Sequence, residues 1–352
     1  MSERTTPAPA RALALAPWIQ RQLQTLLPQR GHALLLAGPS GLGQYELALA
    51  LARAWLCDTP TPQGACGQCK SCHAVDVRTH SELQVLLPDV LALELDWPLD
   101  DKTRDRIEKK EIKPSKWIRV EAARSVVEFA QTTRSRGQTK VVLVYPADRL
   151  NMESANTLLK TLEEPAGDLR FVLATEAAHS LPATIRSRCQ THAMEWPTEE
   201  ESLVWLQQQV PAATPEAARM WLKAAGGRPS DALAWAGLEL TTHQWAQLPQ
   251  ALAHGDGSTM GSWPAARQLE VLQKLCHDLL AQAAGAAPRF FEPASLPKPP
   301  TLMVLQAWAK ELMQTARTVE HPFGAALTLE AWLARTRQAL SHSPTGTHTH
   351  RT

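Results

Sequence analysis

Short apolar runs alternate with amphipathic stretches along the first part of the chain. Three runs are rich in β-branched or aliphatic residues and have the length of buried strands, at 34–37, 141–144 and 171–175. Around them, apolar residues recur at helical spacing at 15–27, 46–56, 120–131 and 151–164. Strands that alternate with helices predict an α/β domain with a parallel sheet. We place this domain at residues 1–196.

From Thr198 onward the pattern is helical. Thr198, with Glu201 three residues later, has the form of a capping box that opens a helix. Helices are predicted at about 198–209 and 215–225, within a segment that we bound at 197–241.

The segment 242–342 is also predicted to be helical, ending in a helix at 325–340 after a proline-rich loop at 286–300. One apolar stripe consists of Leu269, Leu272, Cys276 and Leu279. A second consists of Leu302, Leu305, Ala309, Leu312 and Ala316. We expect residues 1–10 and the tail 343–352 to be disordered.

Composition narrows the class of protein. The formal net charge is +1 over 352 residues, so no general electrostatic attraction to nucleic acid or membrane is expected. No apolar run approaches the length of a membrane span, and the polar start of the chain does not resemble a secretion signal. We therefore expect a cytoplasmic protein with reduced cysteines. The twelve Trp residues lie mostly beside apolar helical positions, which favours roles in packing.

The stretch from Gly38 to Tyr45 follows a predicted strand and begins a predicted helix. Its glycine-rich turn, ending at Gly43, has the context of a phosphate-binding loop. In an active loop, a Lys reaches the β- and γ-phosphates and a Ser or Thr hydroxyl holds Mg²⁺. This chain has Gln44 and Tyr45 at those positions, so we expect a degenerate loop that binds no nucleotide. From this stretch alone, a chance glycine pattern in an ordinary strand–turn–helix is also possible.

The predicted strand at 141–144 shows a second, independent loss. In phosphate-loop ATPases an Asp that holds Mg²⁺ follows this strand, often with a Glu that activates water. Here Tyr145 and Pro146 occupy those positions, and the first carboxylate is Asp148. Proline can neither coordinate a metal nor accept a proton, so both parts of an ATPase site are degenerate.

Four cysteines lie close together after the loop helix, at Cys57, Cys66, Cys69 and Cys72. Four thiolates at this spacing match a closed, structural Zn²⁺ site, which leaves no open position for catalysis. A ferredoxin-type cluster would instead require a cysteine at position 76, where the chain has Asp76. Cys276 is interpreted as a small core residue.

Two longer phrases identify a family. Residues 156–165 read Asn-Thr-Leu-Leu-Lys-Thr-Leu-Glu-Glu-Pro, and residues 181–190 read Leu-Pro-Ala-Thr-Ile-Arg-Ser-Arg-Cys-Gln. Together with the degenerate loop and the four cysteines, these phrases closely resemble AAA+ clamp-loader subunits. The resemblance implies an AAA+ (RecA-like) domain with an inserted zinc module at 57–72, a helical lid domain and an all-α collar domain. A charged segment near 90–114 is an insertion relative to the family pattern, and we assign it no chemistry.

The resemblance also implies a function. It predicts a subunit that does not hydrolyse ATP and that joins a pentameric ring with the ATPase gamma/tau subunits and the delta subunit. The ring would load the sliding clamp onto primed DNA. Arg188 is implied to act in trans on the ATP of a neighbouring subunit, whereas without the resemblance it would be read as a surface ion pair. Ser230 replaces an Arg that would touch nucleotide, and Arg228 is a doubtful equivalent because Pro229 intervenes.

Two alternatives of other classes remain. An active ATPase could use displaced residues, and the isolated chain would then turn over ATP. A standalone zinc-containing nucleic-acid binder would show salt-dependent affinity for DNA without partners.

Overall fold

Five strands of the first unit form one parallel sheet. They are β1 Ala33–Ala37, β2 Leu83–Leu86, β3 Lys140–Val144, β4 Leu169–Thr175 and β5 Gln190–Ala193. Their order across the sheet is β2-β3-β4-β1-β5, with every neighbouring pair parallel. The interior strands β1, β3 and β4 are buried almost throughout, because helices cover both faces of a parallel sheet. For this reason these three were visible in the sequence as continuous apolar runs.

The structure is a computed structural model that describes residues 15–341 except 135, 136, 138, 239, 318 and 320–324. The disordered ends predicted at 1–10 and 343–352 lie outside the described residues. The chain divides into two compact units, residues 1–197 and 198–352. Among the described residues, no helix has both the length and the apolar character needed to cross a membrane.

Eight helices of the described first unit connect and flank these strands. They are α1 Pro17–Leu26, α2 Gln44–Trp55, α3 Lys70–Asp76, α4 Asp89–Glu94, α5 Asp101–Glu108, α6 Val120–Gln131, α7 Met152–Glu163 and α8 Ala183–Arg186. Helix α6 turns Ala123, Val126 and Ala130 into the core at the three- and four-residue spacing that the sequence predicts. Helix α7 begins at an N-cap, because the Asn151 side chain accepts a hydrogen bond from the Ser154 backbone N–H at 2.8 Å.

The apolar stretch at 83–95 divides into two elements. Its first residues form β2, an edge strand, and α4 follows after a short turn. The charged segment after it also has two parts. Every residue of α5, all of them described, is exposed or only half-buried, as is typical of a solvated helix with charges of both signs. Trp97, in contrast, is buried with 8% of its surface exposed.

The second unit is helical. It contains α9 Glu199–Gln209, α10 Pro215–Ala224, α11 Pro229–Ala236, α12 Thr242–Ala253, α13 Ala265–Ala283, α14 Leu302–Ala316 and α15 Ala325–Leu340. The predicted capping box is confirmed: the Thr198 hydroxyl accepts from the Glu201 backbone N–H at 3.1 Å, and the Glu201 carboxylate accepts from the Thr198 N–H at 3.0 Å. The separation of a lid at 197–241 from a collar at 242–342 stays a prediction.

An aromatic group lies in the core of this second unit. The ring of Trp235 meets Trp245 and Trp263 edge-on, at centroid distances of 5.2 and 6.1 Å, and Phe291 stacks on Trp245 at 4.5 Å. Such arrangements suit the quadrupoles of aromatic rings. The buried carboxylate of Asp278 accepts three backbone N–H groups, from residues 289, 290 and 291, and so fixes the start of the predicted proline-rich loop.

The two predicted apolar stripes differ in outcome. All four members of the stripe on α13 are buried, as predicted. The prediction for α14 was partly wrong. Leu302 is 45% exposed and Ala316 is exposed, whereas Trp308, which was not part of the predicted stripe, is buried. The buried face of α14 passes through Leu305, Trp308 and Leu312, so the two ends of the helix lie beyond the surface that it packs against.

Candidate functional site

The glycine-rich turn between β1 and α2 is anchored to α1. The indole N–H of Trp18 donates a hydrogen bond to the Leu42 carbonyl at 3.0 Å, and both side chains are fully buried. Gly43, the N-cap of α2, has φ 91°, a left-handed conformation that glycine adopts without strain. A Cβ at this position would also collide with Ile19, so the turn requires glycine for two reasons.

Gln44 fills the interior of this turn with its own side chain. It is only 3% exposed, and its amide nitrogen donates to the carbonyls of Gly38 at 2.8 Å and Pro39 at 2.7 Å. The neutral amide therefore binds the loop itself. A phosphate would require backbone N–H groups together with a cation, and Gln44 supplies no positive charge.

Tyr45 and Tyr145, which were predicted to stand at the positions of metal ligands, contact each other. Their rings are 5.3 Å apart between centroids and tilted by 35°. The Tyr45 hydroxyl accepts a hydrogen bond from the indole N–H of Trp97 at 2.6 Å, and the Tyr145 hydroxyl donates to Glu176 at 3.1 Å. Burial raises the pKa of both phenols above the usual value, so both stay neutral. A neutral phenol is a weak ligand for a divalent cation.

Asp148, the first carboxylate after β3, has a structural role. One of its oxygens accepts hydrogen bonds from the Thr175 hydroxyl at 2.7 Å and from the Glu176 backbone N–H at 3.2 Å. Pro146, the other degenerate position, is joined to Tyr145 by a cis peptide bond. Through its two hydrogen bonds, the Asp148 carboxylate holds the end of β4 against the turn that follows β3.

The four cysteines predicted as metal ligands converge. Cys57 follows α2, Cys69 is the N-cap of α3 and Cys72 lies in the first turn of α3. Gly64 and Gly67, with φ 125° and 76°, let the intervening chain turn back on itself. All four sulfur atoms lie within 4.8 Å of one another.

The geometry fits a tetrahedral ion. A tetrahedron with Zn–S bonds of about 2.3 Å has S–S edges of about 3.8 Å. The Sγ atoms of Cys57 and Cys72 are 3.7 Å apart, those of Cys57 and Cys69 are 3.8 Å apart, and those of Cys66 and Cys72 are 4.0 Å apart. Four thiols at these distances, with no disulfide among them, are a soft donor set that suits zinc.

The pKa values of the cysteine thiols are shifted in opposite directions by their surroundings. Hydrogen bonds, first from the Thr59 side chain, lower the pKa of Cys66 to about 6, whereas burial raises the pKa of Cys57 and of Cys72. A bound cation would favour the thiolate form at all four positions. The residues present could therefore hold a metal ion.

The cysteine module is also braced against the loop helix. Arg53 of α2 pairs with Asp76 at the end of α3, at 2.8 Å. Arg78, two residues further, donates to the Asp76 carbonyl at 2.9 Å, and its guanidinium lies 4.8 Å from the centre of the Trp97 ring. The module thus reaches the same aromatic residue that contacts Tyr45.

Arg188 lies just after α8 and is held by neighbours from α7 and α8. Its Nε donates to the Glu163 carboxylate at 2.8 Å, a second nitrogen pairs with the same oxygen, and Nη1 donates to the Thr184 carbonyl at 2.7 Å. The side chain remains 30% exposed. Without the family resemblance Arg188 would be read as a surface ion pair, and that ion pair is present, with the side chain only partly exposed.

In the second unit, the Arg228 side chain contacts residues close to it in the sequence. It donates to the Ala225 carbonyl at 3.0 Å and pairs with Asp231 at 2.9 Å. Ser230 lies in the first turn of α11. The loss of a nucleotide contact at this position stays a prediction.

Comparisons with known proteins show the family of the chain. A family profile described as DNA polymerase III, delta subunit, matches residues 18–197, half of the chain. DNA polymerase III subunit delta′ of Escherichia coli K12 is 30% identical over 278 residues, which cover 73% of this chain and 76% of the relative. The chain belongs to the DNA polymerase III delta′ family. Subunit delta′ of Pseudomonas aeruginosa is 36% identical over 60% of this chain and 58% of its own length.

The delta′ subunits of Pseudomonas aeruginosa, Escherichia coli and Haemophilus influenzae are matched over between about half and three quarters of their lengths. DNA polymerase III subunit tau of Salmonella typhimurium is also similar, at 31% identity over 64% of this chain and 30% of that protein. The recognition of the family from the two phrases and the degenerate loop is confirmed.

Sequence reasoning missed side chains that contact the glycine-rich turn and its helix, among them Trp18 and Trp97. Trp97 belongs to the segment to which no chemistry was assigned, yet it contacts Tyr45 directly. A Trp among charged residues offered a weak signal, but the chain's other Trp residues masked it. Nothing in the sequence shows which of the twelve Trp side chains contact the loop and its helix.

Proposed function

We propose that the chain is a subunit of a bacterial clamp loader that does not hydrolyse ATP. It joins a pentameric ring with the gamma/tau ATPase subunits and the delta subunit, and the ring loads the sliding clamp onto primed DNA in the cytoplasm. Membership of the delta′ family supports the complex. The observation that carries the missing hydrolysis is the filling of the loop and metal positions by Gln44, Tyr45 and Tyr145.

Loss of hydrolysis follows from chemistry at each position. Phosphoryl transfer depends on cations that neutralise developing charge and on a residue that orients water. Gln44 brings no charge, Tyr45 and Tyr145 bring neutral phenols, and Asp148 is hydrogen-bonded to Thr175. The chain's own pocket therefore lacks both the ligands for a metal ion and the base that ATP hydrolysis would need.

Through Arg188, a subunit that does not hydrolyse ATP itself can contribute to hydrolysis at the ATP site of a neighbouring subunit. A guanidinium on the rim of one subunit can stabilise the transferred phosphoryl group bound by the next, an effect worth about 10³–10⁵ in rate where arginine fingers act. The partial exposure of Arg188 and its support from Glu163 and Thr184 suit a group that must be both accessible and oriented.

The four cysteines hold one structural Zn²⁺ under this proposal. All four positions of the tetrahedron come from the chain, so the metal has no open site for a substrate. Its role is to fix the shape of residues 57–72 and, through the Arg53–Asp76 ion pair, to hold α3 against α2.

The test is ATP hydrolysis by the reconstituted ring with Arg188→Ala. The variant should fold and assemble normally, because a partly exposed ion pair contributes little stability. Single-turnover hydrolysis stimulated by clamp and DNA should fall while nucleotide affinity is kept, since a finger acts on the transition state. Arg188→Lys should rescue poorly, because an ammonium lacks the planar fork of donors.

Arg186→Ala is the matched control. Arg186 is exposed on the same short helix, so its loss removes an equal charge two residues away. Hydrolysis should remain at the level of the unmodified ring. Equal rates for the Arg188→Ala ring and the unmodified ring, with assembly verified by sizing, would leave Arg188 as an ordinary surface residue.

A further inference from the structure

The guanidinium of Arg188 is held by a carboxylate at the end of a helix. Glu163 is the last residue of α7, and one of its oxygens accepts hydrogen bonds from Nε of Arg188 at 2.8 Å and from Nη2. The third nitrogen, Nη1, donates to the Thr184 carbonyl at 2.7 Å. Because the donors of a guanidinium form a rigid planar fork, contacts at all three nitrogens fix its orientation.

These contacts leave donors for a ligand. A guanidinium has five N–H groups, and the hydrogen bonds with Glu163 and Thr184 use one on each nitrogen. Among the contacts of the described residues, one N–H on Nη1 and one on Nη2 remain, with Nη1 at 3.3 Å from the Ser187 hydroxyl oxygen. Arg188 also lines an open pocket of about 380 Å³ together with His32. Glu163 thus fixes one part of the guanidinium and leaves another part accessible.

The position of Glu163 is itself well fixed. The preceding residue, Leu162, is fully buried, and its carbonyl accepts a hydrogen bond from the His32 ring at 2.8 Å. Helix α7 contacts α8, the short helix that precedes Arg188, and the fully buried Ile185 of α8 belongs to the same core as Leu162. The carboxylate and the arginine that it holds are therefore supported by one packed core.

The location of Glu163 is unfavourable for the helix alone. The C-terminal end of an α-helix carries a partial negative charge, which disfavours a carboxylate there and favours a cation. Glu163 places a carboxylate at this end of α7, and the guanidinium of Arg188 offsets its charge. Departures from local rules of this kind are expected at functional sites.

We propose that Glu163 is the positioning residue for Arg188, and that it orients the remaining N–H groups toward the ATP of the neighbouring subunit. This inference deepens the proposed role of Arg188 in trans and rests on it. Without Glu163, the flexible arginine side chain would sample several rotamers, and only a fraction of them would reach the phosphates. A displacement of about 1 Å can lower a reaction rate about 100-fold, so the loss should be measurable.

The experiment measures single-turnover ATP hydrolysis by reconstituted rings stimulated by clamp and DNA, with assembly verified by sizing. The part of the hydrolysis that Arg188→Ala removes defines the ATP site that Arg188 serves. Glu163→Ala should slow that part about tenfold or more at unchanged nucleotide affinity, because the guanidinium is present but no longer oriented. Glu163→Gln should slow it less, because the amide oxygen can accept the same two N–H groups.

Glu164→Ala is the matched control. Glu164 is the next residue and is exposed, so its loss removes an equal charge from the same end of α7. Hydrolysis in these rings should remain at the level of the unmodified ring. Rings that carry both Glu163→Ala and Arg188→Ala should match rings with Arg188→Ala alone, because a positioning residue acts only through the arginine. A further fall in the double variant would show that Glu163 acts in another way and would overturn the proposal.

The remaining outcomes separate the two proposals. Unchanged hydrolysis in Glu163→Ala rings, when Arg188→Ala rings are slowed, would overturn the role of Glu163 and leave the role of Arg188 intact. Faster hydrolysis in Glu163→Ala rings would also overturn the proposal, because Glu163 would then compete with the phosphates for the arginine. If Arg188→Ala itself has no effect, the proposed role of Arg188 in trans is refuted together with that of Glu163.

Discussion

Replacing Cys69 by serine removes one of four sulfur ligands from the cysteine cluster. Structural zinc contributes an apparent free energy of about 10–16 kcal/mol, and that energy is folding free energy. Divided equally among four ligands, each sulfur accounts for about 2.5–4 kcal/mol, which corresponds to about 10²–10³ in metal affinity. Cys69 is also the N-cap of α3, where its sulfur accepts from the Cys72 backbone N–H at 3.4 Å.

The loss of one sulfur ligand should also lower the thermal stability of the first unit. A domain of this size has a free energy of unfolding of about 5–15 kcal/mol, so about 3 kcal/mol is a large share of it. In a domain of about 200 residues, 1 kcal/mol moves Tm by about 2–4 °C, which predicts a fall of about 6–12 °C for the first unit. Removal of the metal from the unmodified chain by a strong chelator should lower Tm at least as far.

The assay is metal content by mass spectrometry, together with thermal unfolding, on protein purified without chelator. The unmodified chain should contain about one Zn²⁺ and Cys69→Ser clearly less. Cys276→Ser is the control: Cys276 is a buried thiol of the second unit, hydrogen-bonded to the Leu305 carbonyl at 3.6 Å, and its replacement should leave zinc content unchanged. Absence of metal from the unmodified protein, or equal content in Cys69→Ser, would refute the assignment.

Two further predictions concern the first unit. The isolated chain should show no ATP hydrolysis above background. Gln44→Lys alone should not restore hydrolysis, because Tyr145 and Pro146 supply neither metal ligand nor base. ATP turnover by the unmodified chain that disappears when residues of this pocket are changed would contradict the prediction. Burial lowers the pKa of His192 below its ordinary value of 6.5, so the unfolded chain takes up the proton more readily and stability should fall as the pH drops below about 6.5. His192→Gln keeps a donor for the Gln22 side chain, which lies 3.0 Å from the imidazole, and should reduce the loss of Tm between about pH 7.5 and pH 5.5.

The interior of the fold was predictable because its pattern is local. Buried parallel strands must be apolar on both faces, so β1, β3 and β4 appeared as runs in the sequence. Helix α6 was predicted at 120–131, where it is found, and the capping box at Thr198 was predicted from four residues. The cysteine cluster was predictable for the same reason, since its spacing within 16 residues already fits one ion.

Edge elements and long-range contacts were not predictable in this way. β2 is half-exposed at the edge of the sheet, so its four residues lack the continuous apolar character of the central strands. The hydrogen bond between Trp97 and Tyr45 joins residues 52 positions apart, and no periodicity records such a pairing. The inward turn of Gln44 also depends on the closed shape of the loop, which places the Gly38 and Pro39 carbonyls within reach of its amide.

The central claim, that this chain is a working subunit of a clamp-loader ring, is tested most directly by assembly. The purified chain is mixed with the gamma or tau ATPase and the delta subunit, and the molar mass and subunit ratio are measured by size exclusion with light scattering. The account predicts one copy of this chain in each ring of five subunits. Elution of this chain as a free species, while the other subunits associate without it, would contradict the account.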